Sequence, residues 1–172
     1  ETRESREPRE SRVFALVSFG SQKALHPPAP MKVTLTRLDN AFHFAGRNED
    51  GVETHFDLTE AEGGTNQAPG PMQTVAMALG SCASIDIVLI LNKQRQTIDS
   101  FDIEIDYERA GDQVPAVFTA IHVHFILTGG LDPAKVQRAI DLSITKYCSV
   151  AAMLSKTAAI TWSYTVNGTR YD

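Results

Sequence analysis

A chain of 172 residues, 42% hydrophobic and 22% charged, is long enough for one well-filled core and short for two. A formal net charge of −5, with no basic patch interleaved with aromatics, excludes a nucleic-acid footprint. Two cysteines, Cys82 and Cys148, are too few for a secreted disulfide scaffold and too far apart for a C-x-x-C motif, so a reducing cytoplasm is the expected compartment.

Residues 1–30 differ in character from the rest of the chain. E-T-R-E-S-R-E-P-R-E-S-R is low in complexity and alternates in charge, and the segment ends in H-P-P-A-P. Such a stretch buries too little apolar surface to offset its ordering entropy, so residues 1–30 are expected to be a disordered or appended arm. The short apolar run Val13–Phe19 comes after a glutamate-rich segment and reads as a sticky arm rather than a signal peptide. Met31 opens the first clean strand pattern, and residues 31–172 are expected to form one folded domain.

Lys32–Leu38 alternates, Asp39-Asn40 signals a turn, and Ala41–Gly46 comes next with Phe42 and Phe44 on one face. Asn48-Glu49-Asp50-Gly51 turns again and Val52–Leu58 returns, which predicts an antiparallel meander of three strands. A glycine-containing loop over Glu60–Gly70 then leads into G-P-M-Q-T-V-A-M-A-L-G-S-C-A-S-I-D-I-V-L-I-L.

That stretch, Gly70–Leu91, organises the chain. Proline at its start suits the first helical position, and Lys93 and Arg95 near its end suit a helix C-terminus. Between Val75 and Leu91 only Ser81, Ser84 and Asp86 carry polar side chains. Apolarity on most faces predicts a buried core helix, and three polar residues argue against a membrane span. Val75, Leu79, Cys82, Asp86 and Leu89 recur at three- and four-residue spacing and so share a face. A cysteine one turn from a carboxylate on such a helix is the first sign of chemistry. A core helix this apolar needs more cover than one small sheet and two short helices supply, so a homodimer is expected.

Ile98–Glu108 alternates Phe101, Ile103, Ile105 and Tyr107 against Asp102, Glu104 and Asp106, which gives one buried and one wet face. Ala116–Thr128 is a second long strand, predicted to turn Val117, Thr119, Ile121, Val123, Phe125 and Leu127 to one side. Asp132-Pro133 supplies an N-cap and a first-turn proline for a helix with Val136, Ile140 and Ile144 in its stripe. A break near Tyr147 and new apolar periodicity after Val150 predict a second helix starting at Cys148 or Ser149. Ile160–Val166 is the last strand. The order β-β-β-α-β-β-α-α-β is that of an α+β domain with helices on one side of grouped strands.

Most single features have an ordinary structural reading. A buried cysteine usually acts as a small hydrophobe. His122 and His124 share a strand face but lack a third ligand nearby in sequence, so no metal site is expected. Asp102, Glu104 and Asp106 read as a solvated row.

The central stretch, together with K-Y-C-S-V-A-A-M-L and P-A-V-F-T-A-I-H-V-H-F-I-L-T-G, resembles the OsmC/Ohr family, and within it the YhfA-type OsmC-like branch. The likeness runs from Met31 to Val166. It implies an OsmC-like two-layer α+β protomer, with antiparallel strands around a long central helix, in an intertwined homodimer with two active sites at the interface. It also implies reduction of organic hydroperoxides or hydrogen peroxide through a cysteine pair, with a dithiol reductant and no cofactor. Cys82 matches the family's attacking cysteine and Cys148 its resolving one.

An unperturbed thiol is only about 3% thiolate at pH 7, so an attacking cysteine needs a positive neighbour. In the family that neighbour is an arginine from an N-terminal strand or its loop, paired with a glutamate just before the core helix. Arg47 is the candidate here, with Arg37 the alternative. Where the family reads P-x-E, this chain reads Pro71-Met72-Gln73. Gln73 can hydrogen-bond a guanidinium but cannot pair its charge. Asp86, if ionised and close to Cys82, disfavours a thiolate there. Two functions are expected from these features: a thiol-dependent peroxidase serving oxidative-stress defence, or a non-enzymatic small-molecule-binding or redox-sensing module. Neither needs nucleic acid or a membrane as a partner.

Overall fold

Two antiparallel turns build the first sheet of the computed structural model, which describes residues 31–172; the expected arm over residues 1–30 lies outside them. Strands β1 (Thr34–Arg37), β2 (Phe44–Arg47) and β3 (Glu53–Phe56) pair in that order, as the meander predicts. Asp39 caps the first turn by accepting from the backbone N–H groups of Ala41 and His43. In the second, Asn48 Oδ1 accepts from Val52 N–H and Gly51 takes φ +78°, the left-handed region that favours glycine.

After β3 the buried carboxylate of Asp57 gathers the loop that leads to the long helix. It accepts from Leu58 N–H, Thr65 N–H, Thr65 Oγ1 and Gln67 N–H, four donors at 2.7–3.1 Å. The Thr65 hydroxyl is the largest of the influences that hold this carboxyl down at about 2.

Helix α1 (Pro71–Lys93) has the predicted proline at its first position. It is long and apolar enough to cross a membrane, yet it serves as a core helix: Leu79, Ala83, Ile87 and Leu91 are fully buried in the same cluster as residues of the second sheet. Gly80 lets it lie close to that sheet, since a Cβ there would meet Ile105 Cδ1 at 2.7 Å. The opposite side of α1 differs from the all-round burial expected. Met77, Ile85 and Leu89 are 56, 62 and 48% exposed, because the second sheet and the short helices pack against only one side of the helix.

The second sheet holds β4 (Thr97–Arg109), β5 (Phe118–Gly130), β6 (Ala159–Val166) and a short β7 (Thr169–Tyr171), in that order. Between β5 and β6 run α2 (Pro133–Leu142), a π-turn over Ser143–Tyr147 and α3 (Ser149–Leu154). Asp132 caps α2 by accepting from Ala134 N–H. The α+β order and the long central helix are as read from the sequence. One pairing corrects the antiparallel expectation: β5 and β6 run parallel, because the helical crossover returns the chain to the same end of the sheet. A second correction concerns phase. A register shift at Glu108–Arg109 turns Phe118 inward, where its ring meets Tyr107 edge-on at 5.1 Å, and leaves Thr119 exposed.

Candidate functional site

The two cysteines come from different helices and meet at one point. Cys82 is half-buried in the middle of α1. Cys148 is only 2% exposed and stands at the N-cap of α3, where the predicted helix begins. Chain geometry sets it there. The π-turn ends with Cys148 N–H donating to Ser143 O at 2.8 Å, and the backbone turns extended at Cys148 before α3 starts. Its Sγ accepts from Ala151 N–H at 3.3 Å, as a capping hydroxyl would.

The Cys82 side chain is near enough to bear on the Cys148 thiol. Burial first, and then Cys82, pushes Cys148 up to about 11, against the opposing pull of the Ala151 N–H. Cys148 is therefore a protonated thiol at neutral pH. Both cysteines are free thiols.

Asp86, one turn beyond Cys82, has a partner that the sequence reading missed. Ser143 Oγ lies 3.2 Å from Asp86 Oδ2 and 3.1 Å from Ala83 O, fully buried between α1 and the π-turn. A signal was available: Ser143 continues the Val136–Ile140 stripe by three residues, and a hydroxyl at a buried stripe position needs a partner.

Gln73 lies in the first turn of α1, where its Oε1 accepts from Gly70 N–H at 2.8 Å and so caps its own helix. The first turn of α1 has no acidic residue. Arg47 is on β2, and its guanidinium pairs with Glu53 across the hairpin at 3.1 Å. Arg37 donates from Nε to Ala41 O at 3.0 Å and so serves its own turn. Within the chain Asp86 and Ser143 meet beside the two cysteines, whereas Arg47, Arg37 and Gln73 have these other partners.

Beside the start of α1, Phe42, Phe44, Phe56, Leu35, Leu58 and Pro71 line an apolar cavity of about 350 Å³. On the second sheet, the expected wet face is a hydrogen-bonded ladder. His122 bridges Thr161 and Ser163, and His124 bridges Ser163 and Thr165, at 2.7–3.0 Å. Among the described residues no three His, Cys, Asp or Glu side chains are grouped to hold a metal ion.

Residues 64–163 match the family model described as OsmC-like protein. The chain is 45% identical over 124 residues to Protein YhfA of Escherichia coli K12, covering 72% of this chain and 89% of that one. Among solved structures, a hypothetical protein from Aquifex aeolicus VF5 superposes with a TM-score of 0.69 at 25% identity, over 80% of this chain and 96% of that one. An organic hydroperoxide resistance protein OsmC from Legionella pneumophila superposes with a TM-score of 0.61 at 16% identity, over 84% and 100%.

Proposed function

The chain belongs to the OsmC-like family, and from that premise we propose that it is a thiol-dependent peroxidase reducing organic hydroperoxides through Cys82 and Cys148. The Cys82 thiolate attacks the outer peroxide oxygen; the O–O bond breaks, the departing alkoxide takes a proton from solvent to leave as an alcohol, and Cys82 becomes a sulfenic acid. The Cys148 sulfur then attacks Cys82, water departs, and a disulfide forms. A dithiol reductant restores both thiols. The observation that supports this reading is the placing of the two cysteines on neighbouring elements, Cys82 in the middle of α1 and Cys148 at the start of α3, packed into one cluster and near enough for Cys82 to bear on the Cys148 thiol before any oxidation.

The working unit is a homodimer. Met77, Ile85 and Leu89 on α1, and Val33, Leu35 and Val52 on the first sheet, are apolar and exposed, more than a lone protomer would leave bare. Within one chain the apolar cavity opens at Pro71, eleven residues before Cys82 and so about 16 Å along the helix. A second copy is what would bring an apolar sheet, and with it Arg47, over the thiols. The apolar lining favours an organic hydroperoxide, in keeping with the description of the Legionella protein as a hydroperoxide resistance protein. Two free cysteines agree with a cytoplasmic location.

The second reading, a binding or redox-sensing module without turnover, rests on Gln73 capping α1 where a carboxylate would orient the arginine. Steady-state consumption of cumene hydroperoxide, tert-butyl hydroperoxide and hydrogen peroxide with a panel of dithiols separates the two. Turnover with any dithiol supports the peroxidase; its absence with all of them leaves the module.

A further inference from the structure

The first sheet carries a pair of histidines that the peroxide chemistry does not use. In β2 and β3 Phe44 stands opposite Phe56, and Ala45 opposite His55. Side chains alternate along a strand, so Ala45, Arg47 and His55 lie on the side of the sheet away from Phe44 and Phe56, which line the apolar cavity. His43 precedes Ala45 by two residues and takes the same side. Its Nε2 lies 2.9 Å from His55 Nδ1, and the two ring centroids are 5.1 Å apart.

The backbone holds both residues in place. His43 N–H donates to Asp39 Oδ1, and His43 O accepts from Leu38 N–H. His55 is part of the ladder with β2, and its cross-strand partner Ala45 is small, which leaves the two rings room to lean together. The next pair along this face, Arg47 and Glu53, is closed on itself at 3.1 Å. An exposed hydrogen bond between two imidazoles adds little to stability, since water serves either ring almost as well. The proton between them is readily displaced by a cation that both lone pairs can reach.

We infer that His43 Nε2 and His55 Nδ1 form a bidentate site for a divalent late transition ion of the nickel(II) or copper(II) class. Imidazole nitrogen suits these ions. With metal–nitrogen bonds of about 2.0–2.1 Å, two nitrogens at a right angle lie about 2.9 Å apart, and two at the tetrahedral angle about 3.4 Å. The 2.9 Å spacing of this pair is the bite of a square or octahedral ion rather than of tetrahedral zinc. A turn of the exposed rings about their side-chain bonds directs both lone pairs at the ion, with the backbone unmoved. The shared proton passes through solvent to the far nitrogen of its own ring, His43 Nδ1 or His55 Nε2, so both ligands stay neutral. Among the described residues no third His, Cys, Asp or Glu joins the pair, so water fills the other positions and the ion stays exchangeable. The site stands apart from the cysteine pair, and a second copy seated on the apolar side of the sheet leaves it open.

The test uses the full chain and nickel chloride, because nickel(II), unlike copper(II), does not oxidise free thiols. Proton NMR of the wild type, which needs no variant to fold, follows the imidazole C–H signals as this paramagnetic ion is added. Those of His43 and His55 should broaden at well below one equivalent, ahead of those of the other histidines. Calorimetry should find that His43→Gln and His55→Gln each weaken nickel binding by about tenfold or more. Zinc chloride should bind the wild type about tenfold more weakly than nickel, and magnesium chloride should leave the signals unchanged. Broadening that begins at other histidines, or that spares this pair under excess nickel, would overturn the inference. So would a glutamine variant that binds nickel as the wild type does. Zinc binding as tight as nickel would overturn the assigned class of ion. None of these outcomes bears on peroxide turnover.

Discussion

Ser143 Oγ sits 3.2 Å from Asp86 Oδ2 and 3.1 Å from Ala83 O, and so ties the π-turn to the turn of α1 just beyond Cys82. Cys148 N–H is bonded back to Ser143 O, so this one residue braces both cysteines. Ser143→Ala removes the donor and leaves a carboxylate oxygen half-buried without it. The expected cost is about 1–2 kcal/mol, or a fall in Tm of about 2–8 °C. Disulfide formation on oxidation should slow as well. Thermal unfolding and timed oxidation of the variant check both; a Tm and an oxidation rate equal to wild type would mean the brace carries nothing.

Gln73 occupies a capping position that a carboxylate fills at least as well. In Gln73→Glu the side chain still accepts from Gly70 N–H, now with charge that favours the helix N-terminus by about 0.3–1 kcal/mol. The variant should be slightly more stable. On the proposed peroxidase reading, in which Arg47 of a second copy activates Cys82, it should also react faster with organic hydroperoxide. Stability without a gain in rate would separate the capping role from any role in activation.

The bare side of α1 gives a test of assembly. Wild type should sediment as a dimer at micromolar concentration, and Ile85→Asp, at a residue 62% exposed in the protomer, should shift it to monomer. A wild type that sediments as a monomer removes the second copy as the source of Arg47.

Asp57 makes the loop before α1 acid-sensitive. Its carboxyl is held down at about 2 from the ordinary 3.8, so the folded state binds this proton less readily than the unfolded state does. The stabilisation is fully present above about pH 4 and is lost as pH falls from about 4 towards 2. Amide exchange at Thr65 and Gln67, normalised for intrinsic rate, should accelerate over that window. In Asp57→Asn, which lacks the second acceptor oxygen, it should be fast at every pH. Equal protection of both amides in the variant would remove Asp57 as the clamp.

Much of this architecture is legible in local periodicity. Phe101, Ile103, Ile105 and Tyr107 alternate cleanly, and Asp132-Pro133 marks the start of α2 without ambiguity. The parallel pairing of β6 was not legible, because Ile160–Val166 alternates identically whichever neighbour it meets. The β7 hairpin carried a signal in Asn167-Gly168, both at positive φ, but the strand beyond it has only three residues, too few to show a period. The apolar faces of α1 looked alike in sequence, since a residue covered by its own sheet and one left exposed are equally hydrophobic. The cysteines could be placed on their helices, but their contact depends on the π-turn at Ser143–Tyr147, for which periodicity offers no sign.

The central claim is that Cys82 attacks and Cys148 resolves, and mass spectrometry after one equivalent of cumene hydroperoxide tests it most directly. Wild type should lose two hydrogens, with the two cysteine peptides joined within one chain. Cys148→Ser should complete one turnover, leaving Cys82 as a sulfenic acid that over-oxidises with excess peroxide. Cys82→Ser should consume no peroxide. A Cys82→Ser chain that keeps full peroxide consumption, or a wild type whose two thiols survive peroxide unjoined, would contradict the account.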